Sequence, residues 1–422
     1  MERAGSTAVT RTSTEPAGAT YARVFANREF RALWLAQLLS VAGDQLARVA
    51  MTVLVYDRTH SALWTALTYA VTLLPWVVGG LALSGIADRF PRRRVMVICD
   101  VARMVLVCLM AVVSLLAAVS TGLWIMVALL FVVTLLDSPF KSARSAMMPD
   151  ILPGERYVLG TAINQTTLQV GMVSGFALGG LLVALLGVRT ALLADAATFA
   201  LSALLVWAFV QHRPAASRLA KAGPAGFGQM AAGVRLVFGD RRLRTLVLLG
   251  WLVAFYVVPM GLAAPYAASL HAKAAIAIGT GLIFAAGPFG TAVGSVVFGR
   301  LVPQAVRQRW MGPLAVGACG VLMLCALRTS LPAAVVIIAV SGACASYQLA
   351  ANAAFVAAVP AERRGQAFGL ANGGMQVLQG VWIVLAGATA SSNLITPAAA
   401  IAISGGLGAA AAAALATMWR QR

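Results

Sequence analysis

The stretch Ser84-Gly85-Ile-Ala-Asp88-Arg89-Phe-Pro-Arg92-Arg93-Arg94 is too charged to enter a bilayer, yet apolar sequence long enough to cross one lies on either side of it. Such a segment must join two membrane helices. It holds one carboxylate, Asp88, against four arginines, Arg89, Arg92, Arg93 and Arg94. Its positive sign assigns it to the cytoplasmic side. Composition carries the same message. Only 11% of the 422 residues are charged and 60% are hydrophobic, with mean hydropathy +0.87. A soluble domain carries about 25% charged residues, so this chain falls in the membrane class. The formal charge of +19 would suggest nucleic-acid binding in a soluble protein. Here it marks cytoplasmic loops, and no nucleic-acid partner is expected.

Working outward from the loop, apolar spans are expected at about 31–56, 62–83, 95–119, 123–140, 160–186, 190–210, 244–268, 276–299, 311–327, 332–356, 367–390 and 395–418. The expected fold is therefore an all-α membrane protein with 12 transmembrane helices in two six-helix halves. The longest connection, 211–243, splits the spans six and six, the pattern of fused repeats. The expected division is a cytoplasmic tail at 1–29, halves at 30–210 and 244–422, and a linker at 211–243. Part of that linker, around 227–238, reads as a short amphipathic surface helix. The polar tail contains no apolar core that would make it a signal peptide, and disorder is expected there.

Counting Lys and Arg by loop places both termini in the cytoplasm. Arg3, Arg11, Arg23 and Arg28 of the tail fall inside, as do the loop arginines, Lys141, Arg144 and Arg156, and the linker set from Arg213 to Arg244. Outer loops hold only Arg58, Arg189, Lys273 and Arg328. The implied location is the inner (plasma) membrane, multi-pass, with a monomer expected. The five cysteines all lie in apolar stretches and form no CxxC pair, so neither a disulfide nor a metal site is expected. The three histidines are too scattered for a metal site, and no cofactor is implied.

The loop Gly85-Ile-Ala-Asp88-Arg89-Phe-Pro-Arg92-Arg93-Arg94 resembles the signature between the second and third helices of the major facilitator superfamily. The resemblance covers about 30–420. Within that superfamily the chain is similar to the drug–proton antiporter branch that includes macrolide-efflux and enterobactin-exporter proteins. Four stretches carry this: Phe30-Arg-Ala-Leu-Trp34 with Gly43-Asp44-Gln45; Asp100-Val-Ala-Arg103; Asp137-Ser-Pro139 with Met148-Pro-Asp150; and Arg363-Arg-Gly365-Gln-Ala-Phe-Gly369. The glycine-rich antiporter stretch of the fifth helix reads Gly175-Phe-Ala-Leu-Gly179-Gly180, with Phe176 where proline would sit. The matching loop of the second half, Gly299 to Arg309, lacks the acid.

An ionisable residue at membrane depth costs about 2.5–3.5 kcal/mol on insertion scales, so it marks function by default. Asp44, near the middle of the first span, is the leading candidate. Gln37, Ser40, Asp44 and Arg48 share one helical face, expected to line the central cavity. Burial favours the neutral carboxyl and Arg48 favours the ionised one, so Asp44 with Arg48 is the expected proton-coupling pair. A static Asp44–Arg48 pair is the alternative. Beyond Asp240 the only acid is Glu362, placed in a loop, so any coupling carboxylate must come from the first six spans: Asp44, Asp100, Asp137 or Asp195. Of these, Asp137 and Asp195 read as structural. The resemblance implies a cytoplasmic gate of Gly85, Asp88, Arg89, Arg92, Arg93, Asp100 and Arg103, against the alternative that its arginines only set topology.

The second half offers amides instead. Gln348 and Asn352 share a face of the tenth span, and Asn372, Gln376 and Gln379 a face of the eleventh. Together with Gln37 they form the expected substrate-binding set, with interhelical hydrogen bonding as the alternative. Trp251, Phe255, Tyr256 and Trp382 add aromatic surface that suits a small amphipathic substrate. No GxxxxGK[ST], HExxH or GxSxG stretch is present, which argues against ATP as a direct energy source and against an enzyme. The expected function is proton-coupled efflux of a drug-like or natural-product molecule from lipid-embedded protein. An uptake symporter, a lipid flippase, and a non-transporting receptor or scaffold are the alternatives.

Overall fold

The computed structural model describes residues 20–75, 79, 90–116, 119–213, 227–270, 276–327, 330–360, 363–392 and 395–420. The chain opens with a short helix, α1 (Tyr21–Ala26), inside the segment expected to be a disordered tail; its Val24 is fully buried. Asn27 then caps α2 (Arg28–Thr59), its side chain accepting from Glu29 N at 2.9 Å and Phe30 N at 3.3 Å. His60 ends α2 in the left-handed region, and Ser61 caps α3 (Ala62–Val71).

Two helices of this half, α4 (Arg92–Leu116) and α5 (Val119–Ile151), follow the basic loop. One stripe of α4, Ile98, Val101, Val105, Leu109 and Val112, is apolar and exposed. The opposite stripe, Asp100, Arg103, Val107 and Met110, is buried. Apolar groups outward and charges inward is the arrangement a bilayer requires.

The next helix, α6 (Glu155–Phe209), has 55 residues. Straight, it would be about 80 Å long, more than twice the hydrocarbon thickness. It is instead two crossings joined at Gly187, whose φ of 81° breaks the helix. The packing against α2 shows their directions. Gly160 faces Phe30, Gly175 faces Ala42 and Gly179 faces Leu46, so the first arm runs parallel to α2. Asp195 and Thr198 lie against Gly43 and Gln211 against Glu29, so the second arm runs back. Glu29 also accepts from Arg213, 2.9 Å at Oε2, tying the start of α2 to the end of α6.

Within the expected linker, α7 (Phe227–Gly239) occupies the stretch read as an amphipathic helix, with Val237 fully buried. The expected span at 244–268 is a broken run: α8 (Arg241–Trp251), α9 (Val253–Tyr256), α10 (Val258–Gly261) and α11 (Ala263–Leu270). Pro259 and Pro265 lack the N–H that would continue it regularly. The remaining elements are α12 (Ile276–Leu301), α13 (Gln304–Gly320) with a 3₁₀ turn at Val321–Ala326, α14 (Leu331–Cys344), α15 (Tyr347–Ala358), α16 (Arg364–Ser391) and α17 (Pro397–Arg420).

Ten helical stretches among the described residues are long and apolar enough to cross a membrane. One of them, α6, is the two-armed hairpin.

The packing that joins the halves gathers at one end of the bundle. There Ser61 and Ser391 place their hydroxyl oxygens 3.2 Å apart, and Leu63 N donates to Ser391 Oγ at 2.6 Å. Phe176 stacks on Phe284 at 4.9 Å between centroids, and Tyr69 sits 5.7 Å from the same ring. Phe176, the residue standing where proline would sit, thus contributes an aromatic contact between the halves. Gly180 and Gly281 also meet there: a Cβ on Gly180 would lie 2.9 Å from Gly281 Cα.

Candidate functional site: a buried charge cluster in the first half

Arg103 is the centre of the site. Its side chain is 0% exposed, the largest side chain so deeply buried. One nitrogen, Nη2, donates to Asp44 Oδ1 at 2.5 Å. The other, Nη1, donates to Ser40 Oγ at 3.2 Å and lies 3.8 Å from both Asp100 Oδ1 and Asp137 Oδ1. The guanidinium plane rests over Phe199, 4.1 Å from the ring centroid. Four elements therefore converge on one cation: α2 with Asp44 and Ser40, α4 with Asp100, α5 with Asp137, and the second arm of α6 with Phe199. Around this core, Ser202 donates to Asp100 Oδ2 at 2.6 Å. Lys141 pairs with Asp137 Oδ2 at 2.6 Å.

A buried ion costs several kcal/mol in lost hydration, and geometry this close is what offsets it. Asp44, Arg48, Arg103, Asp137 and Asp195 also line a small cavity of about 20 Å³, room for roughly one water.

The arrangement differs from the sequence expectations in four respects. First, among the described residues Asp44 forms its ion pair with Arg103 and not with Arg48. A sequence shows neighbours along one helix, and the true partner stands on the helix opposite. Second, Asp100 and Arg103 do not sit with Arg92 and Arg93, the gate residues at the start of α4. They lie about two to three turns inside α4, roughly 12–16 Å from its start, and are completely buried. Third, the face bearing Gln37, Ser40 and Asp44 turns into the first-half bundle. Gln37 is buried and donates to the Asn164 carbonyl at 3.5 Å, which removes it from an open binding surface. Fourth, α5 runs through Pro139 to Ile151, so Lys141 and Arg144 are helical residues and not loop charges. Asp137, Lys141 and Arg144 stand i, i+4 and i+7 apart, a one-face spacing that could have revealed them.

Of the expected gate, Gly85, Asp88 and Arg89 lie outside the described residues. Arg92 pairs with Asp150 at 2.8 Å, and Arg93 donates to the Trp207 carbonyl. Both tie the start of α4 to neighbouring helices of the same half.

In the second half the expected amides divide. Gln348 donates to the Tyr256 hydroxyl, and Gln379 donates to Gln376 Oε1 at 3.2 Å. Asn352 and Asn372 are exposed. Phe255 packs on Trp382 with centroids 4.7 Å apart, and the Trp382 indole N–H has no hydrogen-bond partner among the described residues.

A helical membrane protein of two packed halves, with its ionisable groups turned inward, has the architecture of a solute transporter. The family model of the Major Facilitator Superfamily matches residues 33–279, and the chain belongs to that superfamily. It is similar to the multidrug efflux pump Tap of Mycobacterium tuberculosis, 30% identical over 53% of this chain and 54% of Tap. It is also similar to the enterobactin exporter EntS of Citrobacter koseri, 29% identical over 64% of this chain and 63% of EntS. An uncharacterized MFS-type transporter of Bacillus subtilis, YkuC, is 28% identical over 43% of this chain and 42% of YkuC. These matches span roughly two fifths to just under two thirds of the relatives' own length. Among solved structures, the nucleoside transporter NupG superposes with TM-score 0.69 at 14% identity, over 93% of this chain and 100% of NupG. A bacterial homologue of ferroportin in its inward-facing state gives 0.68 at 15%, over 96% of this chain and 99% of that one. At such identities these structures show the shared fold.

Proposed function

We propose that this protein is a secondary active exporter that moves a small amphipathic molecule out of the cell as protons enter, by alternating access. The observation that carries the reading is the Asp44–Arg103 pair, in which the fully buried Arg103 meets an Asp44 side chain that is 19% exposed, at membrane depth in the first half. Such a pair can be remade by one proton: neutral Asp44 loses its hold on Arg103, and the arginine turns to another of the buried carboxylates around it. Because those carboxylates stand on different helices, proton uptake becomes a change in helix packing. The second half contributes no carboxylate within a span, so coupling falls to the first. Substrate contacts are assigned to the cleft between the halves, with Asn352, Asn372, Gln348 and the Phe255–Trp382 pair offering amide and aromatic surface.

The relatives described as a multidrug efflux pump and an enterobactin exporter support the outward direction and a drug-like or natural-product cargo. The Lys and Arg distribution supports an inner-membrane location with both termini inside, which makes the packed end at Ser61 and Ser391 the outer one. In this arrangement the inner side is open to receive cargo.

The test is flux in proteoliposomes under an imposed pH gradient. Asp44→Asn is expected to lower gradient-driven efflux roughly 5- to 150-fold, the usual range for a coupling free energy between linked sites, while substrate exchange without a gradient persists. Undiminished coupling in the variant removes Asp44 from the mechanism. Gradient-independent behaviour of the wild type toward every compound tried favours a receptor.

A further inference from the structure

Asp195 is a carboxyl without a cation. Its side chain is 0% exposed, its Oδ2 has no hydrogen-bond partner, and among the described residues no Lys or Arg stands within ion-pair distance of it. Its one side-chain contact of this kind is a long bond from Thr198 Oγ1 to Oδ1, 3.4 Å. The space it occupies exists because residue 43 is glycine: a Cβ there would lie 2.3 Å from Asp195 Oδ1. Asp195 also lines the water-sized cavity that Asp44 and Arg103 line.

The charged groups facing it can be named helix by helix. From α2 come Asp44 and Arg48, from α4 Asp100 and Arg103, and from α5 Asp137, which is already matched by Lys141. Arg103 is shared among three carboxylates before Asp195 is considered. A fourth buried anion with no partner is what the low-dielectric interior excludes. Arg103 nevertheless lies beside the right helix face. It rests on Phe199, one turn beyond Asp195.

We propose that Asp195 holds a proton in the state described here, and that Arg103 alternates between Asp44 and Asp195, the proton residing on whichever carboxyl the arginine leaves. In the exchange, the O–H bond on Asp195 breaks and its proton passes, through the one water the cavity admits, to a lone pair on an Asp44 oxygen. Arg103 moves its ion pair from Asp44 to the new Asp195 carboxylate. The net charge of the three groups is unchanged, so no additional ion need enter the bilayer core. The functional meaning of this swap rests on the exporter reading; the protonation of Asp195 does not.

Infrared difference spectroscopy of the full-length protein in liposomes, in H₂O and D₂O, reads the proton directly. The wild type is expected to show the carbonyl-stretch band of an un-ionised buried carboxylic acid. Asp195→Asn should remove the intensity of one such carboxyl, and Asp44→Asn, which frees Arg103 to pair with Asp195 and ionise it, should weaken or remove the same band. Should Asp195→Asn not fold, Asp195→Glu and Thr198→Val must each shift the band. A wild-type spectrum without the band overturns the proposal, as does a band that ignores the Asp195 and Thr198 changes or keeps its full intensity in Asp44→Asn. Failure of the exporter reading looks different: Asp44→Asn then keeps its proton-driven flux, although the wild type shows the Asp195 band.

Discussion

Arg103 shows how one residue can be both the strength and the liability of a membrane fold. Its charge is tolerable only because Asp44, Asp100 and Asp137 surround it, and theirs only because of it. Removing one partner of a buried ion pair costs about 3–5 kcal/mol, more than the pair itself contributes. Arg103→Ala is therefore expected to lower the unfolding temperature in detergent sharply, or to abolish recovery of folded protein. Arg103→Lys should recover much of that stability and little of the transport, since an ammonium cannot reach several carboxylates as a fork or lie flat on Phe199. An Arg103→Ala protein that melts with the wild type would show that the cluster does not support the fold. Asp44 was legible in the sequence because an acid inside an apolar span has few places to go. Its partner was not, because spacing along α2 offers Arg48 and says nothing of which α4 residue faces it. Asp195 was passed over as structural for the same reason: its isolation is visible only once its neighbours are seen to be occupied.

Among elements, the pair α12 and α14 shows most clearly how the helices approach. A Cβ on Gly290 would lie 1.8 Å from the Ala339 carbonyl oxygen, and one on Gly294 would lie 2.3 Å from that of Ala343. These are backbone atoms and cannot turn aside, so the helices must separate to admit even a methyl group. Gly290→Ala is expected to cost about 1–3 kcal/mol by overpacking, read as a lower melting temperature. Gly299→Ala, on the same helix with nothing within 4 Å of its Cβ position, should be neutral or slightly stabilising, since alanine is the better helix former. Equal melting of the two variants would contradict the packing. The glycine stripe at 171, 175 and 179 could be read as a packing face from its four-residue period, and it does meet α2. Gly290 and Gly294 share that period, yet their partner strip on α14 carries no signal beyond small residues. Element ends were less legible. The span expected at 123–140 continues as helix about another three turns, taking Lys141 into the charge cluster.

At the scale of the whole molecule, the order of the spans was legible because hydropathy is a local property. Which residues of one half meet the other was not, since such contacts join positions hundreds of residues apart. Ser61 and Ser391 are the clearest case. Their oxygens stand 3.2 Å apart across the seam between the halves, beside Gly387, where a Cβ would lie 2.4 Å from Ala66. Alternating access requires this seam to part once in every cycle. Cysteines at the two positions would bring their sulfurs within easy reach of a disulfide, which needs Cβ atoms about 3.5–4.5 Å apart. The five native cysteines are free thiols, so Ser61→Cys with Ser391→Cys belongs in a background where all five are replaced. Under oxidation, the linked protein is expected to lose flux almost completely while retaining its melting temperature, and a reductant should restore transport. Each single substitution, oxidised in parallel, should transport normally, which separates locking from damage at either site. If the linked protein carried substrate at the unlinked rate, this seam would be a fixed joint, and the moving surface of the molecule would have to lie elsewhere.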